Sequence, residues 1–142
     1  MTPTDLPLLA TAAELQHLVS HEAVFTRSYG LVVVRAAPGL CELEVPHLPQ
    51  YERPGGIASG QVLMNAADVA MWLAIKTVRG LDDPSVTGHM QTQFLRGVRG
   101  EAFRCVAQLI QLGRRTAYGE ARCLDLRGDL LAHHTLTFVS PA

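Results

Sequence analysis

The sequence predicts an α+β domain in which one antiparallel sheet packs on one long helix. Three observations carry this. Two short β-rich runs form a hairpin pattern near residues 29–45, a single long apolar stretch follows at Gln61 to Ile75, and three or four extended runs separated only by turn residues fill the rest of the chain. Strands grouped on either side of one helix, without βαβ alternation, specify an antiparallel sheet.

The elements follow in order. Residues 1–27 read as an N-terminal arm with prolines at 3 and 7, and Thr11-Ala12-Ala13-Glu14 reads as a capping box opening a short helix to about Ser20. Residues 28–142 read as the main domain. Tyr29 to Ala36 is β-branched, Ala37-Pro38-Gly39 turns, and Leu40 to Val45 alternates apolar with Glu42 and Glu44. A loop from Pro46 to Ala58 leads to Ser59, which can cap the helix, and Gly80 can end it. After the loop Leu81 to Pro84, extended runs are expected at Ser85–Arg96, Glu101–Leu112, Thr116–Asp125 and Leu130–Val139, separated by glycine-containing turns.

Composition narrows the function. At 142 residues the chain makes one domain, and 48% hydrophobic residues with a net charge of −1 exclude a disordered chain or a general nucleic-acid binder. No stretch is long and apolar enough to span a membrane, and Met1 to Pro7 lacks a signal-peptide pattern. Cys41, Cys105 and Cys123 are widely spaced with no CxxC pair, which predicts reduced thiols in a cytoplasmic protein and no metal site. His133 and His134 are adjacent on a strand and face opposite sides, so they do not share a metal. His47, in the proline-rich loop, has no partner visible in the sequence. Gly56-Ile57-Ala58-Ser59-Gly60 is not a nucleophile elbow, because the serine falls one place late. Seven of the eleven arginines lie between Arg96 and Arg127, either on solvated strand faces or at a site for a phosphate-bearing ligand.

The long helix is apolar on nearly every side, and a single sheet covers only one of them. The charged fraction is also low, 18%. Both point to a second copy of the chain against the helix. Asp68 is the only charge between Gln61 and Ile75. Such a carboxylate is either paired, with a distant arginine or with Asn65 one turn earlier, or has a raised pKa suited to a general base or nucleophile. The glycines at 55, 56 and 60 form a flexible approach to the helix N-terminus, whose free N–H groups suit a developing oxyanion. Gly60 and Asp68 lie eight residues apart, about 12 Å along one helix, so they meet at one carbonyl only if two helices pack antiparallel about a two-fold axis.

Arg53-Pro54-Gly55-Gly56-Ile57-Ala58-Ser59-Gly60-Gln61 followed by Ala67-Asp68-Val69-Ala70 resembles the hotdog-fold acyl-CoA thioesterases of the PaaI type. Their pattern runs Gly, two residues, His-Gly-Gly, then Leu-x-Asp-x-Ala on the central helix. Gln93-Phe94-Leu95-Arg96, Leu112-Gly113-Arg114-Arg115 and Leu136-Thr137-Phe138 resemble further family strands and turns in the same order, and the resemblance covers residues 28–140. It implies a hotdog fold, a sheet wrapped around the helix, and an enzyme that hydrolyses acyl-CoA or a related acyl thioester. Asp68 and the Gly60 N–H are the catalytic pair it implies, from two subunits of a homodimer or homotetramer. The substrate-binding candidates are Ser59, Gln61, Asn65, Thr87, His89, Arg96 and Arg114. His89 is placed on the acyl pocket by sharing a face with Thr87 and Gln91 through strand alternation, while Arg96, Arg99, Arg114 and Arg115 are candidates for the coenzyme A phosphates. Coenzyme A enters as part of the substrate, and no separate cofactor is implied.

The chain departs from the family at three places. Ser59 stands where the family has His, Gln61 where it has a second Gly, and Arg53 where it has Asn. The missing His suggests a non-catalytic acyl-CoA-binding or sensing protein as an alternative. It also counts against a dehydratase or hydratase on the same fold, which needs a histidine beside the carboxylate. A purely structural dimerisation domain, with Asp68 merely paired, is the remaining alternative.

Overall fold

A computed structural model describes residues 2–141. Its strands are β1 (Val32–Ala37), β2 (Leu40–Val45), the two-residue β3 (Glu52–Arg53) and β4 (Ile57–Ala58), then β5 (Val86–Phe94), β6 (Phe103–Leu112), β7 (Thr116–Leu124) and β8 (Leu130–Val139). The helices are α1 (Ala12–His17), extended by a wider turn over Leu18–Glu22, and α2 (Gly60–Arg79). β1, β2, β6, β7, β8 and β5 form one six-stranded sheet in that spatial order, every neighbouring pair antiparallel. This is the hotdog arrangement, with α2 as the filling.

Local chemistry sets the ends of each helix. Thr11 accepts from the Glu14 N–H at 3.2 Å and the Glu14 carboxylate accepts from the Thr11 N–H at 3.0 Å, which completes the capping box. Ser59 caps α2 by accepting from the Gln61 N–H at 3.3 Å. At the other end Lys76, almost fully buried, donates to the carbonyls of Leu81 at 2.8 Å and Asp83 at 3.0 Å, and so fixes the turn beyond Gly80.

Small side chains let the sheet curve tightly around α2. The inner face presents Cys105, Ala107, Ala117, Gly119, Ala121, Cys123 and Ala132, and α2 presents Ala66, Ala67, Ala70 and Ala74, all buried. A Cβ added to Gly119 would fall 2.5 Å from the Met71 methyl and 2.5 Å from the Gln108 carbonyl, so glycine is required there. Bulges in β1, β5 and β6 sharpen the bend.

The N-terminal arm joins the core and reaches α2, the helix that the sequence reserves for a partner. Ala10, Leu15, Val19 and Leu31 join the core, and the Leu9 N–H donates to the Thr77 carbonyl at 2.6 Å. What stays open on α2 is a narrow strip, Gln61 and Met64 exposed, Asn65, Asp68 and Trp72 half-buried.

Candidate functional site

Asp68 lies in the middle of that strip. Its Oδ1 accepts a hydrogen bond from Thr87 Oγ1 at 2.6 Å, a partner delivered by the start of β5. Burial pushes its pKa above the usual carboxylate value, and the Thr87 hydrogen bond offsets this only in part. Among the described residues no cation contributes, and no arginine pairs with Asp68.

Thr87 and His89 do not share a face, contrary to the expectation from alternation. In the register Thr87 opposes Phe138 and His89 opposes Thr137, so Gly88 is an extra residue bulged out of the ladder. Thr87 therefore lies on the inner face beside Asp68, while His89 and Gln91 lie on the outer one with Thr137 and Thr135. A strict period of two cannot reveal a one-residue bulge.

The approach to α2 is pinned rather than flexible. Gly55 and Gly56, at φ of 100° and 79°, turn a small hairpin between β3 and β4. Arg99 donates to the Gly55 carbonyl, and the Ser59 N–H donates to the Tyr51 carbonyl at 2.8 Å. Gly60 tucks under Phe94, where an added Cβ would lie 3.1 Å from the ring. Its own N–H has no partner among the hydrogen bonds of the described residues, as the first turn of a helix leaves it.

Three clefts adjoin one another along the open strip. The first, about 440 Å³, lies between Tyr29, Tyr51, Arg53, Ser59, Gln61, Val62 and Asn65. The second, about 300 Å³, shares Gln61 and Asn65 with it and adds Met64, Asp68 and Met90. The third, about 220 Å³, shares Asp68 with the second and is otherwise bounded by Phe25, Val69, Trp72, Ser85, Val86, Thr87 and Phe138. Together they make a trough that is polar at the helix entrance and apolar beyond Asp68. Sequence reasoning finds Ser59, Gln61, Asn65, Asp68 and Thr87 on this trough, but misses Phe25, Val86 and Phe138, which only tertiary packing delivers.

The arginine candidates lie elsewhere. Arg96 pairs with Asp129 at 2.8 Å. Arg114 lines a separate cleft with Arg79, Asp82 and Asp83 at the C-terminal end of α2. His47 does have a partner, Glu52 at 2.8 Å. His134 is fully buried, its Nδ1 2.8 Å from Thr92 Oγ1, and His133 lies 3.5 Å from Glu120. The three cysteines are free and buried, and no cluster of three or more His, Cys, Asp or Glu side chains is placed to hold a metal among the described residues. No helix there is long and apolar enough to cross a membrane.

Comparison with known proteins agrees with the fold. Residues 55–132 match the family model of the thioesterase superfamily. A mutant of the phenylacetic acid degradation protein PaaI from Thermus thermophilus superposes with a TM-score of 0.72 at 29% identity, covering 84% of this chain and all (100%) of that one. Zebrafish thioesterase superfamily member 2 superposes at 0.83 with 24% identity, covering 92% of this chain and 99% of that one, a likeness of fold. A protein of Saccharolobus solfataricus named as a candidate esterase is 26% identical over 98 residues, 69% of each chain. The match spans the glycine hairpin, the Gly60 entrance, Asp68 and four of the six sheet strands in whole or part, and on that basis the chain belongs to the thioesterase superfamily.

Proposed function

We propose that the protein hydrolyses an acyl-CoA or related acyl thioester at a site completed by two copies of the chain, with Asp68 as the catalytic carboxylate. One arrangement carries this: half-buried Asp68, its proton affinity raised by burial, has no cation partner among the described residues and opens on an apolar cleft. A carboxylate of raised pKa is a better base toward water.

In the general-base route, a water oxygen adds to the thioester carbonyl carbon while Asp68 takes its proton. The carbonyl oxygen gains negative charge and accepts from the Gly60 N–H of the partner subunit. The C–S bond then breaks, and the departing thiolate takes the proton back from Asp68. In the nucleophilic route, Asp68 itself adds to the carbon, the thiolate leaves, and water cleaves the resulting anhydride. Single-turnover hydrolysis in labelled water distinguishes them, because only the covalent route places solvent oxygen in Asp68.

The open strip and the sheet edge support a shared site. β5 is an edge strand of nine residues with Val86 and Phe94 exposed, a surface that proteins normally cover. Pairing two copies there, with their α2 helices antiparallel, closes the trough and brings each Gly60 toward the other copy's Asp68. Ser59, which stands where the family has histidine, serves as helix cap.

The test is thiol release from a panel of acyl-CoAs. Wild type is expected to turn over, and Asp68→Asn to lose about 10²–10⁴-fold in kcat. Binding without turnover in wild type would instead favour an acyl-CoA-sensing protein.

A further inference from the structure

We infer that Phe25, on the N-terminal arm, is the side chain that limits acyl length at the Asp68 site. This rests on the thioesterase reading above and adds a specificity determinant to it. The cleft beyond Asp68 holds about 220 Å³ and is walled by Val69, Trp72, Val86 and Phe138, with Phe25 among its boundaries. An acyl chain whose carbonyl sits at Asp68 has this cleft as its apolar continuation.

Its walls differ in how firmly they are held. Trp72 is fixed on α2, with the buried Lys76 ammonium 4.8 Å from its ring centroid and tied in turn to two carbonyls. Phe25 meets Trp72 edge-on, ring centroids 5.3 Å apart at 62°, yet remains 56% exposed. It is therefore not a core residue. Its backbone is nevertheless anchored, because the neighbouring Thr26 is fully buried and its hydroxyl donates to the Val19 carbonyl at 2.8 Å. A half-exposed ring on an anchored backbone, closed against a fixed indole, makes a stop that can be removed without unpacking the core. The arm that carries it lies outside residues 55–132, the segment shared with the superfamily model. The stop on acyl length thus comes from outside the shared segment, while Val69, Trp72 and Val86 of that segment form the other walls.

The experiment measures kcat/KM for a straight-chain acyl-CoA series, from acetyl upward, in the full chain, Phe25→Ala and Val24→Ala. Val24 is 73% exposed and does not line the cleft. One methylene in a closed apolar pocket changes kcat/KM by about 10–200-fold. Phe25→Ala is expected to move the optimum to longer chains and raise the long-to-short ratio at least about tenfold, while Val24→Ala keeps the wild-type profile. An active wild type whose profile Phe25→Ala leaves unchanged, or lowers equally at every length, overturns the role of Phe25 alone. A wild type inactive on every acyl-CoA overturns the thioesterase reading and this inference with it.

Discussion

At the scale of single residues, function and stability pull Asp68 in opposite directions. Its folded pKa lies above the unfolded one, so ionised Asp68 destabilises the fold at any pH above the folded pKa. The penalty disappears once pH falls below the unfolded carboxylate value, about 4. Asp68→Asn is therefore expected to raise Tm at neutral pH while sharply lowering kcat, and calorimetry across pH should show the gain shrinking on acidification. Thr87 acts through Asp68. Its hydrogen bond lowers the Asp68 pKa, so Thr87→Val should raise that pKa and shift the acidic limb of the kcat profile to higher pH. An unmoved limb with a lower rate would make Thr87 merely structural. Asp68 is legible in the sequence because it is the only charge in an apolar run. The Thr87 contact is not, because it depends on the Gly88 bulge, which leaves no trace in the alternation of residues.

At the scale of elements, the fold rests on close approach between small residues of α2 and the inner sheet face. Gly119→Ala tests this, since the new methyl meets a backbone carbonyl as well as Met71. A loss of about 1–3 kcal/mol in denaturant unfolding is expected, with kcat of the remaining folded protein little changed. The strands and α2 are legible because glycine turns and alternation mark them, and the capping residues Thr11 and Ser59 fix where helices begin. The arm is less legible. Nothing in Ala10, Leu15 or Val19 announces that they join the core. The same gap hides Phe25 from any one-dimensional reading.

At the scale of the whole molecule, the chain by itself separates the two groups its proposed chemistry needs. Gly60 and Asp68 sit about 12 Å apart on one helix. Met64 lies midway between them, so it falls at the two-fold axis of any antiparallel pairing that unites them, and it is exposed. Met64→Arg would set two like charges face to face there. Size-exclusion chromatography with light scattering should show it as a monomer, and its thioesterase activity should fall with the dimer.

Complementation between two inactive variants tests the shared site most directly. Asp68→Asn removes the carboxylate, and Gly60→Pro removes the N–H at the first helix position, where no intrahelical bond is lost; its Cβ presses on the Phe94 ring at 3.1 Å, so circular dichroism first verifies that this variant folds. Each variant alone should be inactive. Denatured together in equal amounts and refolded, they form mixed dimers that hold one site with both substitutions and one with neither. Recovery of about a quarter of wild-type activity is expected, the share of intact sites under random two-fold pairing. If mixed dimers form and no activity returns, Asp68 and Gly60 do not act across the interface, and the shared thioesterase site is wrong.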